Sequence, residues 1–266
     1  MLKALKTLLR AQPERRSAAI PAGQRVYAVG DVHGRLDLFT RLAAAIDADD
    51  TAREPAETTV ILLGDLIDRG PDSAGVLAAA RDWSRRRKVR IIAGNHEELM
   101  LSAFGNLDFL RMFLRYGGRE TLLSYPIDAA AFQAAEFEQV QELMAATVPA
   151  EDLAFIETFE DSIRIGDYLF VHAGIMPGVP LDQQQTGNLR WIREPFLGYG
   201  GDHGVVVVHG HTITDEVEDR PNRIGIDTGA FYSGRLTALA LEGTSRRLIE
   251  AREDAGDYAI HTRSIA

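Results

Sequence analysis

The sequence predicts an α/β fold with a largely parallel sheet in its first third and a second sheet further on. Three observations point there. Short apolar runs alternate with helix-like stretches in the first third of the chain. Each of those runs ends in glycine next to Asp, Asn or His. Beyond Ile163 the apolar period shortens and the helix-like stretches give way to short strands.

Arg25 to Val29 reads as a strand that leads into the helix-like stretch Leu36 to Ile46. Thr58 to Leu63 leads into Ser73 to Trp83, and Lys88 to Ala93 leads into His96 to Phe104. From about Leu101 to Asp161 the chain reads as mostly helical, because Phe137, Val140 and Met144 recur at helical spacing. Pro149 followed by Glu151 and Asp152 suits the first turn of another helix. This helical insertion carries no ligand-type motif, and it reads equally as a lid over a substrate pocket or as packing.

Ile163 to Ile165 and Tyr168 to Val171 predict a hairpin around Gly166 and Asp167. Val205 to Val208, Arg223 to Ile226, Leu236 to Leu241 and Leu248 to Ile249 are further strands. No repeat of fixed period and no low-complexity linker interrupts the chain. The basic run Arg85 to Lys88 reads as a solvated helix end.

The length, 266 residues, fits one large domain or one domain with a substantial insertion, and 45% apolar residues suffice for a real core. We expect a helical extension over residues 1–24, the main domain over 25–250 with its insertion at about 101–161, and a tail over 251–266. Met1 to Arg16 sets Leu2, Leu5, Leu8 and Leu9 among Lys3, Lys6 and Arg10, which is too charged for a signal-peptide core. A docked terminal helix is the expectation there, with an amphipathic membrane-surface helix as the alternative. No segment approaches the ~18 apolar residues of a membrane span.

The net charge of −10 argues against general nucleic-acid binding, while leaving room for a local basic pocket. The chain has no cysteine, which excludes disulfides, zinc–thiolate sites and a thiol nucleophile, and fits a cytoplasmic protein.

The chemistry lies at the strand ends. Gly30-Asp-Val-His-Gly34 follows the first strand, Gly64-Asp-Leu-Ile-Asp-Arg-Gly70 the second and Gly94-Asn-His-Glu97 the third. Two histidine motifs, Phe170-Val-His-Ala-Gly174 and Val208-His-Gly-His-Thr212, follow later strands. The carboxyl ends of strands in open α/β sheets are where ligands collect. Carboxylate and carboxamide oxygens mixed with imidazole suit Mn, Fe or Zn rather than Ca.

A two-metal centre follows. Asp31 and His33 would hold one ion, Asp65 would bridge, and Asn95, His172 and His211 would hold the other. Two divalent ions bring four positive charges, and Asp31, Asp65 and a bridging hydroxide bring three negative ones. The centre stays positive and attracts a phosphate dianion; an Asp in place of Asn95 would cancel that charge. The bridging hydroxide is the expected nucleophile. His96, next to Asn95, is the candidate general acid, with Asp68 to orient it. Arg69 and Arg193 are candidates to grip phosphate oxygens, with Arg190 as the rival to Arg193. His209 is expected to be packed rather than to ligate.

In this order the motifs resemble the signature of the PPP family of metal-dependent serine/threonine protein phosphatases. Val171-His-Ala-Gly174, Trp191-Ile-Arg-Glu194, Gly210-His-Thr212 and Ile226-Asp-Thr-Gly-Ala230 resemble its bacterial and bacteriophage branch, so that the likeness runs from about Arg25 to Gly243. It implies the calcineurin-like metallophosphoesterase fold, a central β-sandwich flanked by helices with the dinuclear site at one edge. It also implies hydrolysis of phosphomonoesters without a phosphoenzyme, with two divalent ions, Mn first and Fe or Zn next, as cofactors.

By motif position Asp31, His33, Asp65, Asn95, His172 and His211 carry over as ligands, Asp68 and His96 as the acid pair, and Arg69 and Arg193 as phosphate binders. Asp227-Thr-Gly-Ala230 stands where eukaryotic members differ, so the resemblance carries no expectation of their regulatory subunits.

The expected substrate is a phosphoprotein, with a small phosphoester as the broader class. The alternative is the diadenosine tetraphosphatase branch. It shares the opening motif and the metal site, but lacks the acid at the position of Asp68 and has Asp at that of Glu97. A non-catalytic binding module is disfavoured because no ligand or acid position is missing.

Overall fold

The computed structural model describes residues 18–265; the N-terminal helix expected from Met1 to Arg16 lies outside them. The chain opens with β1 (Gln24–Val29), α1 (Leu36–Thr51), β2 (Glu57–Leu62), α2 (Ser73–Arg86), β3 (Val89–Ile91) and α3 (Asn95–Ala103). The helical insertion follows as α4 (Leu107–Phe113), α5 (Arg119–Ser124), α6 (Ala129–Ala134), α7 (Phe137–Thr147) and α8 (Ala150–Ile156). Then come β4 (Ser162–Ile165), β5 (Tyr168–Val171), α9 (Thr186–Trp191), β6 (Val206–His209), β7 (Glu218–Asp219), β8 (Arg223–Gly225), α10 (Ala230–Ser233), β9 (Arg235–Glu242), β10 (Ser245–Asp254) and β11 (Asp257–Ile265). No helix among the described residues is long and apolar enough to cross a membrane.

Two sheets form a sandwich, with strand orders β11-β10-β9-β1-β2-β3 and β4-β5-β6-β8-β7. The expected parallel ladder is present in β1–β2–β3, but β9 pairs antiparallel with β1, and β10 and β11 continue antiparallel, so the first sheet is mixed. The later strands do not all build the second sheet, since β9 to β11 return to complete the first.

The expected tail from residue 251 is instead the end of β10 and the whole of β11, paired from Asp254↔Asp257 to Arg246↔Ile265. The turn between them is Ala255-Gly256, both at positive φ (51° and 91°). Two successive left-handed residues match the twist of a tight hairpin. Ala is an uncommon occupant of the first position, and the usual Asn-Gly signal is absent.

Alternation along the strands builds the layers. Val26 and Ala28 of β1, with Ile61, Leu239 and Leu248, meet Tyr168, Phe170, Val206, Val208 and Ile224 of the other sheet. Tyr27 and Val29 point the opposite way, onto Phe39, Leu42 and Ile46 of α1 and Val76, Leu77 and Trp83 of α2. Leu169 and Val171 face Leu189, Ile192 and Phe196 on the far side. The result is helix, sheet, sheet, helix, and each fully buried aliphatic or aromatic side chain contributes roughly 1.5–3 kcal/mol.

The basic run behaves as expected only in part. Arg85 and Arg86 lie in the last turn of α2, where cations favour the helix dipole. Arg87 turns inward to Asp47 and Asp50 of α1.

The parallel registers bring the carboxyl ends of β1, β2 and β3 level, with Val29↔Leu62 and Leu62↔Ile91. β5, β6 and β8 are also mutually parallel. Six strands from two sheets therefore deliver their terminal loops to one edge of the sandwich.

Candidate active site

That edge collects every ligand candidate. Asp65 is common to two tight groups of potential ligands, His33–Asp65–His96 and Asp65–His172–His211. Its Oδ2 lies 3.6 Å from His33 Nε2, 3.3 Å from His172 Nε2 and 3.8 Å from His96 Nε2. Asn95 Oδ1 completes the second group, 3.0 Å from His172 Nε2 and 2.9 Å from His211 Nδ1. Asp31 stands beside these groups rather than in them. Its two oxygens accept the His211 amide at 3.0 and 3.2 Å.

Backbone carbonyls set the imidazoles. Nδ1 of His33 donates to the Ile67 carbonyl, and Nδ1 of His172 to the Leu63 carbonyl, each at 2.8 Å. In both rings Nε2 is therefore aimed inward, which is how outer partners orient metal-binding histidines. His33 Nε2 is buried and has no hydrogen-bond partner among the described residues. An orphaned imidazole nitrogen beside a buried carboxylate, and a carboxamide oxygen between two further imidazoles, fit divalent cations.

The local backbone is unusual. Among the described residues six non-glycine residues have positive φ, and five of them belong to the site: His33, Asp65, Asp68, Arg69 and His211. Such conformations cost of order 1–3 kcal/mol each and persist only where the surroundings over-determine them. Glycines make part of that surrounding. A Cβ on Gly70 would lie 2.1 Å from the His33 carbonyl oxygen, and one on Gly34 would lie 2.8 Å from the Gly70 carbonyl. The Asp31–His33 and Asp65–Arg69 loops pack backbone to backbone, and a side chain at either glycine would force them apart.

Glu97 is another support. Its carboxylate accepts the amides of Asp65 (3.0 Å), Leu66 (2.7 Å) and Gly94 (2.9 Å), fixing the Asp65 turn from beneath. Burial and the Asp65 charge push its carboxyl up to about 7.

Charge follows the geometry. Burial alone would raise the Asp65 carboxyl, but His172, His96 and His33 around it hold it well below the usual range. Burial would lower His172, yet Asp65 and Asp31 push it up to about 10. A cation in this group would take the place of that proton. Burial and the neighbouring His172 push His211 down to about 3, and burial keeps His33 well below an ordinary imidazole.

His96 and Asp68 are buried together, with His96 Nδ1 2.6 Å from Asp68 Oδ2. Arg69 Nη2 donates to His96 Nε2 at 2.9 Å, and its guanidinium lies 4.9 Å from the centre of the Phe231 ring. His96 Nε2 thus faces a cationic guanidinium, which separates it from the candidate ligand histidines although it sits close to them. Burial opposes protonation of His96, but Asp65 and Asp68 raise its pKa on balance.

Arg193 reaches towards Thr212 Oγ1 and the His211 carbonyl, each at 3.4 Å, and so borders the His211 side of the site. Arg190 is committed elsewhere, to Asp161 at 2.6 Å and Glu98 at 3.3 Å. His209 is buried, with Nδ1 3.0 Å from the Gly210 carbonyl and its ring edge-on to Phe196, and burial lowers it to about 4.

Two further residues of the site carry no assigned role in the sequence reading. Asp227 follows β8, is buried, and leaves Oδ2 without a partner among the described residues. Its charge is, after burial, the main influence raising the Asp31 carboxyl. The signal was the one that marks Asp65, an Asp at the end of a parallel strand. With Asp227 ionised the formal charge of a two-metal centre falls from one to zero, leaving Arg69 and Arg193 as the attraction for phosphate. The other residue is Thr121, in a segment without any motif; its hydroxyl lies 2.6 Å from Asp68 Oδ1.

With this geometry in view, residues 24–228 match the family described as calcineurin-like phosphoesterase. The chain belongs to the calcineurin-like phosphoesterases. It is 28% identical over 228 residues to serine/threonine-protein phosphatase 1 of Salmonella typhimurium, covering 82% of this chain and 93% of that protein. It is 25% identical over 235 residues to the asymmetrical bis(5'-nucleosyl)-tetraphosphatase PrpE of Anoxybacillus flavithermus, covering 79% and 88%. Among solved structures, a cold-active protein tyrosine phosphatase superposes with a TM-score of 0.56 at 22% identity, covering 91% of this chain and 81% of that one. This phosphoesterase therefore has the expected fold and the His/Asp cluster of a dinuclear metal centre.

Proposed function

We propose that this phosphoesterase hydrolyses phosphomonoesters, with phosphoserine and phosphothreonine in proteins as its substrate class. The observation that carries this is the buried pair of Asp68 and His96. A seryl or threonyl oxygen is a poor leaving group and needs a proton as its bond to phosphorus breaks. A nucleotide phosphate leaves readily and needs little help. A dedicated acid is therefore most useful against an alkyl phosphoester.

Asp31, His33 and Asp65 would hold one divalent ion and Asp65, Asn95, His172 and His211 the other, with Mn, Fe or Zn suited to these donors. Bound there, the ions supply charge neutralisation for the phosphoryl group and a more acidic water. Asp68 fixes the His96 ring and favours its protonated form. Arg69 exchanges its contact with His96 Nε2 for a phosphate oxygen, which frees that nitrogen to carry the proton. Arg193 grips the phosphate from the opposite side. Water adds to phosphorus, the ester oxygen leaves with the proton of His96, and the products are phosphate and the free alcohol.

A second reading, hydrolysis of dinucleoside polyphosphates, is favoured by the likeness to the bis(5'-nucleosyl)-tetraphosphatase, which is nearly as extensive as that to the protein phosphatase. A turnover comparison with Mn²⁺ separates the two, using phosphoserine, phosphothreonine and phosphotyrosine peptides against diadenosine tetraphosphate. Higher kcat/KM on the first two peptides supports the proposal; preference for the dinucleotide overturns it.

A further inference from the structure

We infer that the helical insertion sets the geometry of the acid pair, with Thr121 as the positioning residue; this rests on the reading of His96 as proton donor. Thr121 lies on α5 and is fully buried. Its Oγ1 is 2.6 Å from Asp68 Oδ1 and accepts the Asp68 amide at 2.8 Å. Ser73 Oγ, at the start of α2, accepts the same amide at 3.0 Å and lies 2.8 Å from Thr121 Oγ1. Asp68 is thus gripped at both carboxylate oxygens. Oδ1 faces the insertion, and Oδ2 faces His96. Fixing one oxygen fixes the plane of the carboxylate, and so the direction in which the other holds the imidazole.

The backbone contacts point the same way. Asp68 and Arg69 are consecutive non-glycine residues in left-handed conformation, with φ of 75° and 69°. The insertion holds both amides, that of Asp68 through Thr121 and that of Arg69 through the Gly117 carbonyl at 3.1 Å. Gly117 sits at φ 113°, where a Cβ would come within 2.7 Å of the Arg69 amide nitrogen. Ser124 adds a third tie by accepting the Ala74 amide at 3.0 Å. A lid without a structural part in the acid pair would need none of these contacts. The Thr121 contact bridges 53 residues of sequence, and the Thr121 and Gly117 contacts end on Asp68 and Arg69, whose side chains hydrogen-bond the His96 ring.

The test is a leaving-group series of substituted phenyl phosphates, matched in shape, assayed with Mn²⁺ on the wild type, Thr121→Val, Thr121→Ser and His96→Asn. Thr121→Val should lose about tenfold or more in kcat on phenyl phosphate, the poorer leaving group, and less than about threefold on p-nitrophenyl phosphate. KM and bound metal should stay at wild-type values, and Thr121→Ser should recover most of the loss. Equal losses along the series, or Thr121→Ser no better than Thr121→Val, would overturn the inference. His96→Asn separates this failure from that of the underlying reading. If it steepens the series while Thr121→Val does not, the inference alone fails; if it leaves the series flat, the acid assignment fails and the inference with it. Should Thr121→Val not fold, Thr121→Ala against Thr121→Ser gives the same comparison.

Discussion

Asp68 Oδ2 lies 2.6 Å from His96 Nδ1, with both side chains buried, and this contact joins the loop between β2 and α2 to the first turn of α3. It places a carboxylate-backed imidazole beside Asp65 and His33. The remaining nitrogen, Nε2, faces Arg69 and Asp65.

His96→Asn should keep its metal and lower kcat by roughly 10²–10⁴, the usual range for loss of a general acid. Metal analysis of the purified variant beside its kcat checks this. Loss of metal would show that His96 is a ligand.

Arg193→Ala should raise KM by about tenfold or more with a smaller change in kcat, as expected when an arginine grip on phosphate is removed. Arg190→Ala should instead lower the melting temperature, because Arg190 joins Asp161 and Glu98, and leave KM near wild type. The reverse pattern would exchange the two roles.

Asp49 ties three elements together, accepting from Tyr27 Oη at 2.6 Å, Arg53 at 2.9 Å and Arg247 at 2.8 Å. Burial raises its carboxyl, but Arg247, Arg53 and Tyr27 outweigh burial and hold it well below the usual range. A depressed carboxylate stabilises the fold above its unfolded pKa, about 3.9, and that contribution is lost as pH falls below it. Asp49→Asn should therefore destabilise by about 1–3 kcal/mol at neutral pH, with partial exposure favouring the lower end. Denaturant melts at neutral pH and below about pH 3 should show the difference shrinking; an equal difference at both would contradict the ion-pair account.

The strand-end motifs were legible because their chemistry is local: an apolar run, a glycine and a ligand occupy neighbouring positions. Asp31, His33, Asp65, Asn95, His172 and His211 could therefore be named, and the structure brings them to one edge. Sheet membership was not legible. The apolar pattern of β9 looks like that of β6, yet one returns to β1 and the other stacks across the sandwich, a choice made by partners far away in sequence. Thr121 was invisible for the same reason, since a lone threonine in a helix declares nothing until Asp68 is seen against it. Asp227 shared the strand-end signal of Asp65 and could have been included.

The most direct measurement is the metal content of the purified protein by elemental analysis after reconstitution, wild type against Asp65→Asn. Two groups of potential ligands that share one carboxylate predict about two divalent ions per chain in the wild type and weakened occupancy of both in the variant, with most activity lost. One ion per wild-type chain, or full occupancy and activity in Asp65→Asn, would contradict the shared dinuclear centre on which the account rests.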